Sequence, residues 1–92
     1  MIFKHEDNGI YLYNDLNEIC AGIEFPPISE NLVNVNRTFV NEEMQGQGIA
    51  GKLMNELVES LRKTNRKAIP TCSYAVKWFD KHPEYNDLIS SK

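Results

Sequence analysis

Apolar and polar residues follow two different periods along this chain. From Ile49 the apolar positions recur with the period of a helix, and the residues on this stripe are Ile49, Ala50, Leu53, Met54, Leu57, Val58 and Leu61. Polar and charged side chains occupy the opposite side of the segment, as in an amphipathic helix that lies on a core. The pattern predicts a helix from Ile49 to about Asn65.

The part of the chain before this helix has the alternating pattern of short strands. Strands are predicted at Ile2–His5, Ile10–Tyr13, Glu18–Phe25 and Leu32–Val40. The turn between the first two contains Asn8-Gly9, which is a strong hairpin signal. Glu18 and Glu24 lie on the polar side of the third strand, which Pro26-Pro27 ends. The following Ser29-Glu30-Asn31 is predicted as a polar loop.

The fourth predicted strand has one irregularity, at Arg37. Val33, Val35 and Phe39 lie on one side of this strand, and the basic Arg37 interrupts them. A basic residue on an otherwise apolar side indicates either a bulge that changes the alternation or a deliberately placed polar group.

The segment after the helix predicts a strand at Lys67–Thr71 and a second helix that Ser73 caps and that continues to Phe79. The order is four antiparallel strands followed by helix, strand and helix, an α+β fold in which the fifth strand lies parallel to the fourth. This order brings the end of the fourth strand, the segment Gln45–Lys52, and Cys72 to one end of the sheet. Ligands of α/β sheets bind at such an end.

Composition excludes several classes of function. The length of the chain predicts one domain, residues 1–92. Its net charge of -3 predicts that this domain does not bind nucleic acid. The basic residues at 62–67 are interpreted as a solvated helix end. The sequence has neither a membrane-spanning apolar run nor a signal-peptide pattern, so a cytoplasmic protein is expected. Cys20 and Cys72 lack metal-ligand spacing and are expected to be reduced thiols, with no metal site.

The segment Gln45–Lys52 carries the strongest chemical signal. Its glycines open the helix, where unpaired main-chain N–H groups and the helix dipole favour a phosphate. The Gln45 side chain is a further donor, and the alternative is an ordinary turn. A dinucleotide fold is excluded, because the preceding strand ends too early and the chain is too short for the sheet. A Walker loop is excluded, because Leu53 follows Lys52 where Ser or Thr is needed.

Gln45-x-x-Gly48-x-Ala50 resembles the acetyl-CoA signature Q/R-x-x-G-x-G/A of the GNAT superfamily of N-acetyltransferases. The later segments Ile69–Tyr74 and His82–Tyr85 resemble those of its small single-domain YjdJ-type subfamily. The resemblance covers nearly the whole chain. It implies a minimal GNAT fold with acetyl-CoA as cofactor.

The resemblance also implies a cofactor site. Main-chain groups of Phe39, Val40 and Asn41 would pair with the pantetheine amides. Lys52 would approach the nucleotide phosphates. The alternative is that Lys52 is an ordinary surface lysine. Ser73 and Tyr74 would complete the site. The N–H groups that would hold the diphosphate are those of Gln45, Gly46, Gln47, Gly48, Ile49, Ala50 and Gly51.

Cys72, Arg37 and Thr38 are the candidate catalytic residues. Cys72 lies at a helix start, where the dipole favours a reactive thiolate, so it could accept the acetyl group or position the thioester. The alternative is a small residue that lines a pocket. Related sequences often carry histidine before the threonine that corresponds to Thr38. Arg37 stands there instead, and it cannot act as a base but could bind an anionic group of the substrate.

These features predict an acetyl-CoA-dependent N-acetyltransferase whose acceptor is a primary amine of a metabolite or a protein. The first alternative is an acyl-CoA-binding module with little or no turnover, which either senses the cofactor or is acetylated on Cys72. Two further alternatives are a small interaction domain without a cofactor and a nucleotide-phosphate site that does not recognise CoA.

Overall fold

The structure of the protein is a computed structural model that describes residues 2–90. Within that range two small sheets and two helices share one core. The elements, in chain order, are β1 (Phe3–Glu6), β2 (Gly9–Tyr13), β3 (Ile19–Glu24), β4 (Pro27–Ser29), β5 (Leu32–Val35), β6 (Arg37–Val40), α1 (Ile49–Lys63), β7 (Lys67–Pro70) and α2 (Ser73–Lys81). Short 3-10 segments lie at Glu42–Met44 and Pro83–Leu88.

The first sheet is antiparallel, in the order β1-β2-β3-β6. Glu6 pairs with Gly9 and closes the predicted hairpin turn. The Asn8 side chain donates to the Phe25 carbonyl over 2.8 Å and so ties this turn to the end of β3.

The second sheet has the order β4-β5-β7, and β5 pairs with β7 in parallel. The predicted parallel pairing of the fourth and fifth strands is therefore confirmed. The prediction of a loop at Ser29 is wrong, because Ser29 pairs with Leu32 in β4. Pro27 begins β4, which is tolerated because β4 is an edge strand, where a missing N–H breaks no ladder.

The predicted strand Leu32–Val40 is divided at Asn36 into β5 and β6. The Asn36 N–H donates to the Glu24 carbonyl of β3 over 3.2 Å, whereas the Val35 carbonyl accepts from Thr71 over 2.9 Å. Neighbouring residues therefore pair with different sheets. The irregularity that Arg37 indicated is present, and it is a full break of the strand.

Helix α1 covers the inner face of the first sheet. Its predicted stripe is buried except for Ala50, which is half-buried. The helix ends at Lys63, and Asn65 follows with a φ of 58°, a left-handed conformation that asparagine tolerates well. The core contains residues of both sheets and both helices, among them Ile10, Ile23, Val35, Leu57 and Phe79.

Helix α2 begins at Ser73, the residue predicted as its cap, and so starts one residue earlier than predicted. Cys72, not Ser73, is the N-cap, since Cys72 has the extended conformation and its sulfur accepts the Ala75 N–H over 3.4 Å. Ser73 is the first helical residue. Strand β7 ends at Pro70, one residue before the predicted end, which accounts for the offset. The helix ends at Lys81, two residues beyond the predicted Phe79 and just before His82-Pro83, where proline disfavours further helix.

Candidate functional site

An opening between β6 and β7 follows directly from the divided strand. The Val35 carbonyl accepts the N–H groups of Thr71 and Cys72, over 2.9 and 3.2 Å. Beyond this point β6 pairs with β3 and β7 pairs with β5, and no ladder joins β6 to β7, so the two sheets separate. The opening points toward the glycine segment at the start of α1.

One edge of β6 faces this opening. The Asn41 N–H donates to the Cys20 carbonyl over 2.8 Å, so Asn41 points toward β3. Because the ladder of antiparallel strands alternates, Phe39 also points toward β3, and the main chains of Thr38 and Val40 point the other way. The Asn41 carbonyl accepts from Met44 over 2.9 Å. Of the predicted set Phe39, Val40 and Asn41, only Val40 thus offers a main-chain group to the opening.

The glycine segment leaves its main-chain donors free. Gly46 and Gly48 have φ values of 84° and 73°, which other residues adopt only at a cost. The Lys52 N–H donates to the Gly48 carbonyl over 3.2 Å and makes the first hydrogen bond of α1. Among residues 2–90 no acceptor engages the N–H groups from Gly46 to Gly51.

A cavity of about 290 Å³ lies against this segment. Its wall includes Val40 from β6, Met44, the glycine segment from Gln45 to Gly51 except Gln47, and Tyr74 of α2. A Cβ on Gly46 or Gly48 would meet no atom within 4 Å. The space above these amides is therefore open to a ligand. Ile49 is buried and contributes its main chain only, while Gln47 and Lys52 are exposed.

The Gln45 side chain makes a contact that the sequence did not predict. Its Nε2 donates to the Val40 carbonyl over 3.0 Å, which links the glycine segment to the end of β6. The side chain thus fixes the loop relative to the strand. The main-chain N–H groups from Gly46 to Gly51 are the donors of this segment that remain available to a ligand.

Tyr74 lies on the other side of the cavity. A Cβ on Gly51 would be 3.8 Å from the Tyr74 hydroxyl, so this phenol lies over the first turn of α1. Burial raises the pKa of Tyr74 above its ordinary value of 10.0, which keeps the hydroxyl protonated and able to donate. The neighbouring Ser73 is exposed.

Thr38 and Cys72 meet across the opening. The Thr38 hydroxyl lies 3.5 Å from the Cys72 sulfur, although β6 and β7 share no ladder. Cys72 is half-buried and a free thiol. Its sulfur also accepts the Ala75 N–H. The predicted candidates Thr38 and Cys72 are therefore in contact at the inner end of the opening.

Arg37 is separated from this pair by the strand itself. Thr38 lies in a cross-strand row with the buried Ile23 and Ile10, on the side of α1. Arg37 pairs with Glu24 on the opposite side of the sheet, where its guanidinium lies 4.4 Å from the Phe39 ring centroid. The structure thus brings Cys72 and Thr38 together and places Arg37 on the other face.

Met44, Glu24 and Tyr11 are site neighbours that the sequence did not indicate as such. Met44 lines the loop cavity, and Tyr11 donates to Glu24 over 2.8 Å. The contacts of Glu24 with Arg37 and Tyr11 depend on strand register, which the alternating pattern alone does not specify.

Two kinds of site are not found in the part of the chain that the structure describes. No group of three His, Cys, Asp or Glu side chains in residues 2–90 is arranged to hold a metal ion. Neither described helix combines the length and the apolar content that crossing a bilayer requires.

Comparison with known proteins identifies similar folds. The model of a family described as GCN5-related N-acetyl-transferase matches residues 10–88. A GCN5-like protein of Staphylococcus aureus, solved by NMR, is 32% identical with a TM-score of 0.79, and the match covers 99% of this chain and 89% of that one. No curated protein matches.

Two crystal structures with a bound ligand share the fold at lower identity. A GNAT family N-acetyltransferase of Escherichia coli in complex with CoA is 22% identical with a TM-score of 0.61, over 67% of this chain and 38% of that one. A GNAT family acetyltransferase of Elizabethkingia anophelis with acetyl-CoA bound is 19% identical with a TM-score of 0.60, over 84% of this chain and 51% of that one. This chain therefore spans about half or less of those two.

Proposed function

This chain belongs to the GCN5-related N-acetyltransferase family, and on that premise we propose that it transfers the acetyl group of acetyl-CoA to a primary amine. The observation that carries the proposal is the row of unengaged N–H groups from Gly46 to Gly51, at the end of the opening beside β6. The assignment of the chain to the YjdJ-type subfamily stays a prediction.

The residues around the opening fit the parts of acetyl-CoA. The N–H groups from Gly46 to Gly51 would hold the diphosphate, since a helix N-terminus favours an anion with its dipole and its unpaired donors. The outward main chain of Thr38 and the N–H of Val40, whose carbonyl already accepts from Gln45, would pair with the pantetheine amides, as an added strand pairs with a sheet edge. Lys52 is exposed on the first turn of α1, where it would meet the nucleotide phosphates.

This arrangement directs the reactive end of the cofactor toward Thr38 and Cys72. Acetyl-CoA supplies an activated acetyl group as a thioester. In the overall reaction the amine nitrogen forms a bond to the acetyl carbon, the carbon–sulfur bond breaks, and the amine loses a proton as CoA leaves as its thiol. Thr38 and Cys72 would position the thioester at the point where the two sheets separate.

Arg37 does not serve as the base in this proposal. A guanidinium stays protonated at all physiological pH values, so it cannot remove the proton of the amine. Its location on the other face of the sheet also separates it from the cofactor side.

A second candidate function is an acyl-CoA-binding module that becomes acetylated on Cys72. The contact of the half-buried sulfur with the Thr38 hydroxyl favours it, because this thiol lies where the thioester would end. The Cys72 sulfur would form a bond to the acetyl carbon as the carbon–sulfur bond to CoA breaks, and the proton that the Cys72 thiol loses would pass to the sulfur of the departing CoA. Little turnover would follow if no amine removed the acetyl group.

Titration of the protein with acetyl-CoA tests the proposal. Calorimetry should give saturable binding, and NMR should show the largest shifts at the amides from Gly46 to Gly51. ADP serves as the control for a nucleotide-phosphate site without CoA recognition. No saturable shift at millimolar acetyl-CoA would refute the proposal, and equal affinity for ADP would favour the nucleotide-phosphate alternative.

Intact mass spectrometry separates the two candidate functions. Wild type and Cys72→Ser are incubated with acetyl-CoA, with and without a mixture of amines. Amine-dependent release of CoA by both proteins favours direct transfer. A covalent acetyl adduct on the wild type, absent from Cys72→Ser, favours the acetylated module.

A further inference from the structure

The outer face of the first sheet carries a second polar site near the opening. We define the outer face by Tyr11, Gly22, Glu24, Arg37 and Phe39, which occupy two adjacent cross-strand rows of β2, β3 and β6. The row between them, Ile10–Ile23–Thr38, points to α1 and the core. The outer face thus lies opposite the side on which the glycine segment begins α1.

Contacts on the outer face hold the Arg37 guanidinium in one position. It stacks on Phe39 with 4.4 Å between the guanidinium carbon and the ring centroid. Its Nη1 lies 3.6 Å from Glu24 Oε1, an ion pair longer than a hydrogen bond. The other Glu24 oxygen accepts the Tyr11 hydroxyl over 2.8 Å, which fixes this carboxylate.

A glycine beneath the rings makes this packing possible. A Cβ on Gly22 would lie 2.6 Å from Tyr11 Cδ1 and 2.9 Å from Phe39 Cε1. Both rings therefore lie directly on the main chain of β3. Packing on Gly22 thus positions both the Phe39 ring, which contacts Arg37, and the Tyr11 ring, whose hydroxyl donates to Glu24.

Arg37 nevertheless keeps its hydrogen-bonding capacity. A guanidinium has five N–H donors in a fixed planar fork. Among the hydrogen bonds of residues 2–90 none uses an Arg37 donor, and 59% of the side chain is exposed. A guanidinium that lies over a ring, with its N–H donors unused, is suited to bind a carboxylate in two-point contact.

Arg37 is also next to the reaction site that we propose. It precedes Thr38 in β6, and the two side chains point to opposite faces of the strand. The cofactor would approach the opening from the side of α1, so that side is occupied. An acceptor would then approach from the outer face and pass Arg37.

We infer that Arg37 binds the carboxylate of the acceptor, so that the acceptor class is a primary amine that carries a nearby carboxylate, as in a free amino acid. Glu24, held by Tyr11, is a positioning residue that keeps the guanidinium beside the opening. The inference rests on the proposed function and specifies its acceptor. The alternative, a purely structural Arg37–Glu24 pair, gives Arg37 no role in the choice of acceptor.

The test compares acceptors of equal length that carry either a carboxylate or a neutral carboxamide. Acetyl transfer is measured for glycine, β-alanine and γ-aminobutyrate and for the carboxamide of each, which keeps the amine and the length. For at least one pair, kcat/KM of the wild type should be about tenfold or more higher for the acid than for the amide, as expected for a charged hydrogen bond. In Arg37→Gln this preference should fall to about twofold or less.

A matched variant controls for the general charge of this surface. Lys4 is an exposed cation of neighbouring β1, near Tyr13, and contributes no contact to Arg37. Lys4→Gln removes the same charge and should keep the preference for acids. The Kd for acetyl-CoA, measured for both variants, separates a loss of acceptor recognition from a loss of cofactor binding.

A binding readout makes the test independent of turnover. The Arg37 Nε–Hε signal in NMR spectra of the wild type should shift with the acids and not with the amides. Equal use of acids and amides, no shift with any acid, or an unchanged preference in Arg37→Gln would overturn the inference. Absence of acetyl-CoA binding would instead refute the proposed function itself.

Discussion

The Nε2 of Gln45 donates to the carbonyl of Val40 over 3.0 Å. This bond joins the glycine segment to the free edge of β6, two parts of the site that approach each other only in the folded chain. It holds the amides proposed for the diphosphate at a fixed position relative to the strand proposed for pantetheine. The distance between these two groups sets the length of cofactor that the site accepts.

We expect substitutions of Gln45 to weaken acetyl-CoA binding. Gln45→Ala removes the link to Val40 and should raise the Kd about threefold, because a loop that is less preorganised must be ordered on binding. Gln45→Glu cannot donate to a carbonyl and adds a negative charge near the diphosphate, so its Kd should rise about tenfold or more. Calorimetry measures both.

The same two variants should leave stability nearly unchanged. Gln45 is exposed, so water replaces the lost hydrogen bond, and the free energy of unfolding should stay within about 0.5 kcal/mol of wild type. Wild-type affinity in Gln45→Glu would contradict the placement of the diphosphate.

Alanine at two glycines of the same loop should have opposite effects on stability. Gly48 has a φ of 73° with open space around it, so Gly48→Ala should lower the free energy of unfolding by about 1 kcal/mol through backbone strain alone. Gly51 is helical, and its new Cβ would make an ordinary 3.8 Å contact with Tyr74. Gly51→Ala should therefore raise the free energy of unfolding by up to about 1 kcal/mol.

Urea unfolding of the two glycine variants checks this pair, and each serves as the control for the other. A stabilised Gly48→Ala would mean that the left-handed conformation is not retained in solution.

Substitution of Cys72 should separate its structural role from its chemical role. Cys72→Ser keeps an acceptor for the Ala75 N–H and should be at least as stable as wild type, since serine is a preferred cap. Cys72→Ala removes the cap and should lose about 1 kcal/mol relative to Cys72→Ser. Thermal and urea unfolding measure this difference, and equal stability of both variants would show that the sulfur does not cap α2.

Gly22→Ala should disturb the outer face of the sheet. The added Cβ would lie within 3 Å of both the Tyr11 and the Phe39 rings, which must then move. Such overpacking costs about 1–3 kcal/mol of stability. The Arg37 Nε–Hε signal should shift as its supporting ring is displaced. An unperturbed Arg37 signal in this variant would contradict the stacked arrangement.

High pH should release the contact between Tyr11 and Glu24. Burial, followed by the hydrogen bond to Glu24 and the charges of Glu24 and Glu6, raises the pKa of Tyr11 from 10.0 to about 12. Because the folded-state pKa is the higher one, the folded state favours the protonated phenol. This contribution is complete below pH 10 and is lost as the pH rises from 10 toward 12.

Absorbance of tyrosinate during a pH titration checks the Tyr11 prediction. The wild type should show an ionisation near pH 12 that is absent from Tyr11→Phe. Tyr74, whose pKa is also raised, remains in both proteins and acts as an internal reference. An unchanged high-pH step in Tyr11→Phe would contradict the prediction.

The sequence determined α1, the first hairpin and the position of the glycine segment. The stripe from Ile49 to Leu61 has a helical period because one side of α1 must face the core, and this period is visible in any amphipathic helix. The hairpin at Asn8-Gly9 and the end of α2 before Pro83 follow from local backbone preferences. These local preferences can be identified without knowing which other segment of the chain packs against the element.

The cap of α2 and strand β4 show where local rules were insufficient. Cysteine is not among the residues that capping preferences favour, so Ser73 was the expected cap. The position of the cap depends on where β7 stops pairing with β5, and that is decided by another strand. Ser29 likewise joins β4 because β5 lies beside it.

Only the tertiary structure decided which side chains of the site meet. Arg37 and Thr38 are adjacent in sequence, yet alternation in a strand directs them to opposite faces, and the division of the strand at Asn36 brings Thr38 to Cys72. Glu24 reaches Arg37 through the register of β3 and β6. Periodicity specifies which side of a helix or strand is apolar, because burial acts on each side chain separately. Which side chains meet across strands depends on the strand register, and that register is set by segments that are distant in the sequence.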